Sequence, residues 1–350
     1  MSNIILLLIT LFLLFPQAGK AQESSPLIKL TQPTRLGLPI DCTVGKDCWV
    51  MNYVDYGADD GLQTDSACQK RTYDTHKGTD FMILDENAMN KGVPVLSAMD
   101  GTVLRVRDGE EDSWKTTEEL ALIQEQRKEC GNAIMIEHAN NVQSIYCHLR
   151  KNSISVKSGD IVKKGDSIGL VGLSGFTEFP HIHLGIIKNG KIIDPMTGKH
   201  TAQQCGLTGQ TIWDKSLELT YQPFTIKTSG FSKEIPTLET LERDASSPNN
   251  LTSDLDQLTF WTILLGVQEN DLIAIEVKDP NGNIFAERTI TQEKDRARQF
   301  YFIGKNLKNK PPLIEGVYTG TVRVTRPNED TDPISEFKIQ SVLVTSPSSS

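Results

Sequence analysis

Short apolar runs separated by glycine and aspartate dominate the first half of the chain. Between residues 71 and 196 they are TDFMIL, VPVLSA, GTVLRV, NAIMIEH, VQSIYCHL and DSIGLVG. Brief β-like runs with turn residues between them are typical of antiparallel sheets. The pattern therefore predicts a mostly β fold, with an antiparallel β-sheet domain over residues 71–200.

One stretch inside this region has a different pattern. Residues 116–129 read TTEELALIQEQRKE and predict a single inserted helix. Thr116 or Thr117 can cap its start, and Arg127 and Lys128 would lie in its last turn, where cations interact favourably with the helix dipole.

A second series of apolar runs follows the loop-forming stretch RDASSPNNLTSD. The runs include LTFWTILLGV, DLIAIEVK, RQFYFIG, GVYTGTVRV and FKIQSVLV, and DPNGN is a hairpin turn signal. They predict a C-terminal Ig-like β-sandwich over residues 251–346, after a connector over residues 201–250. The tail, residues 347–350, is predicted to be disordered.

The first residues have the pattern of a secretory signal peptide. An apolar core runs from Ile4 to Phe15, and small residues precede a cleavage site after Ala21. The core is shorter than a membrane span requires. No Lys or Arg precedes it, which leaves an uncleaved anchor as the alternative. We predict that residues 1–21 are removed, that residues 22–70 form an N-terminal segment, and that the mature chain has no membrane span.

Charge and cysteine content fit a protein of an oxidising compartment. The formal net charge is −9, which argues against a nucleic-acid surface. An even number of cysteines after a signal peptide predicts disulfide bonds in a periplasmic or secreted protein. These cysteines are Cys42, Cys48, Cys68, Cys130, Cys147 and Cys205.

Sequence spacing favours one pairing of these cysteines without deciding it. Cys42 and Cys48 can close a short loop. In an extended hairpin with its turn at residues 139–141, Cys147 would face Ala133, and Cys130 would lie about 10 Å away, too far for a bond. This spacing favours Cys68–Cys130 and Cys147–Cys205.

Two histidines stand one residue apart in the run FPHIHLGI, residues 179–186. On a strand, His181 and His183 would share one face, while Ile182, Leu184 and Ile186 would pack into the core. A solvated sheet face is the simplest interpretation of such a pair. A metal site is the alternative, because neutral imidazole is a common zinc ligand.

The remaining motifs favour the metal site. HKGTD carries His76 and Asp80 at the start of a strand, and YCHL carries His148, which strict alternation would place on the same face as Tyr146. A catalytic zinc usually has three protein ligands and an open position. His76, Asp80 and one histidine of the pair satisfy that count.

Taken in order, these motifs resemble the lysostaphin-type zinc endopeptidases of peptidoglycan, which have a duplicated hybrid motif fold. The resemblance runs from about Tyr73 to Pro195 and rests on HKGTDF, KGVPVLSAMDGTV, IYCHL with VKSGDIVKKGDSIGLVG, and GLSGFTEFPHIHLGI. It implies that His76, Asp80 and His183 hold one zinc ion per chain, and that His148 and His181 are catalytic. The implied reaction is hydrolysis of peptide cross-links in peptidoglycan by a zinc-activated water.

Three alternatives remain open. The chain could be a non-catalytic, zinc-holding scaffold that binds the wall or activates a cell-wall amidase, or a metallopeptidase with a protein substrate. VKSGDIVKKGDSIG also resembles the hairpins of biotinyl and lipoyl carrier domains, but a carrier function would leave the histidines unexplained.

The C-terminal domain could bind the wall or a cell-wall protein. His138 and His200 match no motif and are predicted to be surface residues.

Overall fold

The computed structural model describes residues 35–57, 61–327 and 334–347. The predicted signal peptide, residues 1–21, lies outside these ranges, as do residues 348–350 of the predicted tail. Within the described ranges, no helix is both long and apolar enough to cross a membrane.

Ten strands form the first half of the described structure. They are β1 (Cys48–Asn52), β2 (Thr79–Ile83), β3 (Pro94–Leu96), β4 (Gly101–Arg107), β5 (Asn132–His138), β6 (Val142–Leu149), β7 (Ile161–Val162), β8 (Ser167–Leu170), β9 (His181–Lys188) and β10 (Lys191–Ile193). Eight of them form one antiparallel sheet in the order β1-β2-β9-β6-β5-β4-β7, with β10 paired to β9, and β3 and β8 form a separate pair. The predicted antiparallel β architecture is confirmed.

Alternation along β9 separates the core from the opposite face of the sheet. Ile182, Leu184 and Ile186 are buried in the main hydrophobic core of this half, as the pattern predicted. His181 and His183 therefore lie on the other face, beside β2 and β6.

Three α-helices are present in the described residues: α1 (Glu86–Lys91), α2 (Thr117–Glu125) and α3 (Leu238–Arg243). The predicted inserted helix is α2, and Thr116 caps it in a capping box with Glu119. It ends before the predicted last turn, because Arg127 has a left-handed φ of 54°. Helix α1 was not predicted from the sequence, because six residues are too short to show a helical period.

Eight strands form the second half. They are β11 (Thr225–Ser232), β12 (Asn250–Thr252), β13 (Gln257–Val267), β14 (Leu272–Lys278), β15 (Ile284–Thr291), β16 (Arg296–Asn306), β17 (Gly316–Arg326) and β18 (Ile334–Thr345). They form a three-stranded sheet, β11-β13-β16, and a five-stranded sheet, β12-β18-β17-β14-β15. β12 pairs with β18 in parallel. One hydrophobic core draws residues from both sheets, including Phe260 and Val322. This packing is that of a sandwich, and the Ig-like topology stays a prediction.

A third hydrophobic cluster joins the two halves. Trp49, Met82 and Phe179 of the first half pack with Trp261 and Ile263 of β13. Polar contacts reinforce this junction at α3. The backbone N–H of Ala245 donates to the Asp85 carboxylate, which also caps α1. The C-terminal sheets therefore pack directly against β1 and β2 of the first sheet, on the face that carries Trp49 and Met82.

The predicted disulfide pairing is wrong for two of the three bonds. The structure pairs Cys42 with Cys48, as expected, but it pairs Cys68 with Cys205 and Cys130 with Cys147. The prediction assumed that the chain stays extended beyond Ala133. Instead it turns at Gly131, where φ is 57°. The turn brings the Cα atoms of Cys130 and Cys147 to 4.7 Å.

Candidate metal centre

Three of the predicted site residues converge at the junction of β2 and β9. In the ladder, Asp80 is paired directly with His183, and His76 lies on the turn that leads into β2. One nitrogen or oxygen atom of each side chain lies within 4.8 Å of the other two. Nε2 of His76 is 3.0 Å from Oδ1 of Asp80, and Nδ1 of His183 is 2.8 Å from the same oxygen and 3.1 Å from Nε2 of His76.

Backbone contacts determine which nitrogen of His76 carries the proton. Nδ1 of His76 lies 2.7 Å from the carbonyl oxygen of Tyr53. Because a carbonyl only accepts, the N–H is on Nδ1, and Nε2 of the neutral ring turns a lone pair toward Asp80 and His183. A metal-binding histidine is commonly oriented in this way, by donating its other N–H to a carbonyl.

The donor set fits a divalent zinc ion. Two imidazole nitrogens and one carboxylate oxygen are ligands that zinc takes, and bonds of about 2.0–2.1 Å at tetrahedral angles would place ligand atoms roughly 3.3 Å apart. Asp80 is 1% exposed. In the described part of the chain, its ion-pair partners are all histidines. A buried carboxylate without a lysine or arginine requires other positive charge, which a cation between the three donors would supply.

His148 reaches this group because its strand contains a β-bulge. The register of β5 and β6 shifts between the Asn132–Leu149 and Ile134–Tyr146 pairs, and His148 has a φ of 65°. Strict alternation would place His148 on the same face as Tyr146, as the sequence pattern predicted, and Tyr146 lies in the core. The bulge instead turns His148 toward the group. Its ring centroid lies 4.5 Å from that of His181 and 6.3 Å from that of His183.

His148 and His181 are both held by backbone carbonyls. Nδ1–H of His148 donates to the Ser174 carbonyl at 2.8 Å, and Nδ1–H of His181 donates to the Phe179 carbonyl at 2.9 Å. Each neutral ring therefore keeps its lone pair on Nε2. Nε2 of His181 lies 3.7 Å from Oδ1 of Asp80.

Burial and mutual repulsion determine the charge states in the group. Burial, followed by the nearby His181 and His183, holds the pKa of His148 well below its usual range. Burial also lowers the pKa of His181, against the attraction of Asp80. Burial alone would raise the pKa of Asp80, but the surrounding imidazoles hold it well below its usual range. The arrangement therefore favours neutral His148 and His181 beside an ionised Asp80.

The structure adds an orienting residue that the sequence analysis missed. Nδ2 of Asn52 donates to Oδ2 of Asp80 at 2.8 Å, in the buried interior. This leaves Oδ1 as the carboxylate oxygen that faces the histidines. Asn52 ends β1, in a segment where the sequence showed no motif. Only the pairing of β1 with β2, which places Asn52 opposite Asp80, identifies it.

The remaining two histidines lie apart from this group, and the prediction of a surface position for them is wrong for His138. That residue is buried on β5, where Nδ1–H donates to the Asp100 carbonyl and Nε2 pairs with the Ser144 hydroxyl. Alternation along β5 places His138 on the same buried face as Ile134 and Ile136. His200 is partly buried beside Ile193.

Comparison with known proteins matches the same part of the chain. Residues 74–195 match the model of peptidase family M23. An uncharacterized metalloprotease of Haemophilus influenzae is 32% identical over 133 residues, which are 38% of this chain and 23% of that protein. The peptidoglycan DD-endopeptidase ShyA of Vibrio cholerae is 33% identical over 121 residues, which are 35% of this chain and 22% of that protein.

The matches thus span less than a quarter of the length of these two relatives. Among solved structures, the catalytic domain of lysostaphin from Staphylococcus simulans aligns with 41% of this chain and 86% of its own length, at 24% identity and a TM-score of 0.26. The family match begins just before His76 and ends just after Asp194, so it contains all five residues of the group. Residues 74–195 of this chain are therefore similar to peptidase family M23.

Proposed function

We propose that this protein is a secreted or periplasmic zinc metalloendopeptidase that hydrolyses peptide cross-links of peptidoglycan. The observation that carries the proposal is the convergence of His76, Asp80 and His183 on one point, with the two further histidines, His148 and His181, beside them. The names of the relatives, which include a peptidoglycan DD-endopeptidase, support the substrate class.

In this proposal His76, Asp80 and His183 hold one zinc ion. A zinc ion there would acidify a water molecule and polarise the scissile carbonyl. The Nε2 lone pair of a neutral imidazole can accept the proton of that water, and the resulting imidazolium can return it to the leaving amine. His148 and His181 are suited to proton transfer and to hydrogen bonding of the developing oxyanion, because carbonyls fix both rings through Nδ1–H.

The presence of both non-ligand histidines argues for catalysis rather than for metal holding alone. A scaffold needs only the three ligands, His76, Asp80 and His183. The bulge nevertheless turns the imidazole of His148 toward this group. A left-handed φ at a residue other than glycine has an energetic cost. We infer that the position of His148 serves the reaction.

The test uses the mature chain, residues 22–350, with purified cross-linked peptidoglycan. Released fragments are identified by mass spectrometry, with a chelator, with zinc restored, and with His183→Ala. We expect new peptide-chain ends that disappear with chelator and return with zinc. In His148→Ala, we expect zinc binding to persist and the rate of cleavage to fall by about 10²–10⁴-fold.

Other outcomes would separate the alternatives. Unchanged cleavage by His148→Ala would contradict the proposed mechanism. Digestion of casein or elastin without peptidoglycan cleavage would indicate a protein substrate. Stoichiometric zinc with no hydrolysis of any substrate, together with stimulation of an added cell-wall amidase, would indicate an activator.

A further inference from the structure

One arginine of the C-terminal half reaches the loop that carries His181. Arg298 lies on β16, one of the two edge strands of the three-stranded sheet, and its side chain is 15% exposed. Its guanidinium carbon is 4.9 Å from the centroid of the Phe179 ring. One guanidinium nitrogen also lies 3.7 Å from the carboxylate of Glu178, the neighbouring residue of the loop.

A buried acid holds Arg298 in this position. Oε1 of Glu242, on α3, is 3.5 Å from the guanidinium of Arg298, and Oε2 is 3.2 Å from the ammonium group of Lys227. The Lys227 side chain is 0% exposed and that of Glu242 is 2% exposed. Arg298 and Lys227 thus share one buried carboxylate, and the guanidinium of Arg298 carries a permanent positive charge. Arg298 directs that charge at the face of Phe179 and at Glu178, where an aromatic face and a carboxylate both attract it.

Phe179 connects this contact to the candidate metal centre. Its ring centroid is 4.7 Å from that of His181. Its carbonyl oxygen accepts the Nδ1–H of His181 and the hydroxyl of Thr177. Phe179 therefore supports the imidazole twice, through its ring and through its backbone. A displacement of Phe179 moves both the ring that contacts His181 and the hydrogen-bond acceptor of His181.

From these contacts we propose that Arg298 is a positioning residue for His181, acting through Phe179, and that the C-terminal sheets are thereby part of the support of the active site. The role of His181 rests on the proposed function; the mechanical link from Arg298 to the loop does not. The hydrophobic cluster that Phe179 shares with Trp261 gives the loop a general attachment. Arg298 supplies the directional contact on the ring that touches His181.

The first test measures the loop itself and needs no activity. Hydrogen–deuterium exchange is followed by mass spectrometry in the wild type, in Arg298→Ala and in the control Arg296→Ala. Arg296 is an exposed arginine two residues earlier on the same strand. We expect faster exchange in peptides covering residues 176–182 in Arg298→Ala alone, with unchanged exchange in β13 and β17. Unchanged exchange in the loop, or equal acceleration throughout the chain, would overturn the proposal.

The second test separates positioning from general destabilisation. In Arg298→Ala we expect kcat on cross-linked peptidoglycan fragments to fall roughly 10-fold with little change in KM, because small displacements of reacting groups cost rate. Arg298→Lys, which keeps the charge, should recover part of the loss. In a Phe179→Leu background, Arg298→Ala should have little further effect.

The two tests distinguish failure of the Arg298 proposal from failure of the proposed function. A full additional loss in the Phe179→Leu background would show that Arg298 does not act through Phe179, and would overturn the proposal. If the wild type hydrolyses nothing, the proposed function fails, while the exchange measurement still decides whether Arg298 holds the loop.

Discussion

Nδ1 of His183 lies 2.8 Å from Oδ1 of Asp80, although 103 residues separate them in the chain. The two residues are direct partners in the β2–β9 ladder. Because the register of two paired strands is fixed by the burial of their apolar faces, the core positions these donors.

Removal of either donor should abolish high-affinity zinc binding. We expect His183→Ala and Asp80→Ala to lose more than 100-fold in zinc affinity, since even outer-shell changes typically cost about 10–100-fold. His200→Ala is the matched control, because His200 lies outside the group. Zinc affinity is measured by competition with a chromogenic chelator. Wild-type affinity in Asp80→Ala would contradict the assignment of Asp80 as a ligand.

Asn52 should raise the zinc affinity of the centre without binding the metal itself. Its amide holds Oδ2 of Asp80, so Asn52→Leu frees the carboxylate to rotate and removes a buried hydrogen bond. We expect zinc affinity to fall by about 10–100-fold. The same chelator competition reports it, and circular dichroism checks that the variant folds. An affinity equal to that of the wild type would show that the orientation of Asp80 does not depend on Asn52.

Much of this architecture could be predicted from the sequence, and the exceptions have physical reasons. Alternation along FPHIHLGI placed Ile182 and Leu184 in the core and both histidines opposite, because a regular strand has a strict period of two. The same rule misplaced His148, because a bulge changes the local period and leaves no sequence signature. The turn at Gly131 misled the disulfide prediction in the same way. Asn52 was missed because its role depends on a strand pairing that no local pattern encodes.

Stability should depend on pH through His138. Burial lowers the pKa of His138 below its ordinary value of 6.5, against the raising effect of the Asp100 carbonyl. Between the folded and unfolded pKa values, the unfolded chain binds more protons, so the free energy of unfolding rises with pH. The contribution of His138 is therefore fully present above pH 6.5 and is lost as the pH falls below it.

Urea unfolding of the wild type and of His138→Gln at pH 7.5 and pH 5.5 tests this dependence. We expect the wild type to lose more stability than the variant between these conditions, since glutamine does not titrate. The other histidines occur in both proteins, so the difference between the two losses isolates His138. Equal losses would show that the folded-state pKa of His138 is not lowered.

The Cys130–Cys147 disulfide should stabilise the fold more than the Cys42–Cys48 disulfide. The first closes a loop with a sequence separation of 17, and the second a loop with a separation of 6. Loop-closure entropy gives about 3 kcal/mol for the longer loop and about 2 kcal/mol for the shorter one. Unfolding of the two double-serine variants by denaturant measures both. A larger loss for the Cys42–Cys48 pair would contradict the chain-entropy account.

The most direct test of the metal centre is the position of zinc in a crystal of residues 22–350. Diffraction data collected on both sides of the zinc absorption edge locate the ion without reference to the protein. We predict one anomalous peak per chain, bonded to Nε2 of His76, a carboxylate oxygen of Asp80 and Nδ1 of His183, with His148 and His181 nearby but not bonded. A peak bonded to His148 or His181 in place of one of these ligands, or zinc bound only elsewhere, would contradict the account.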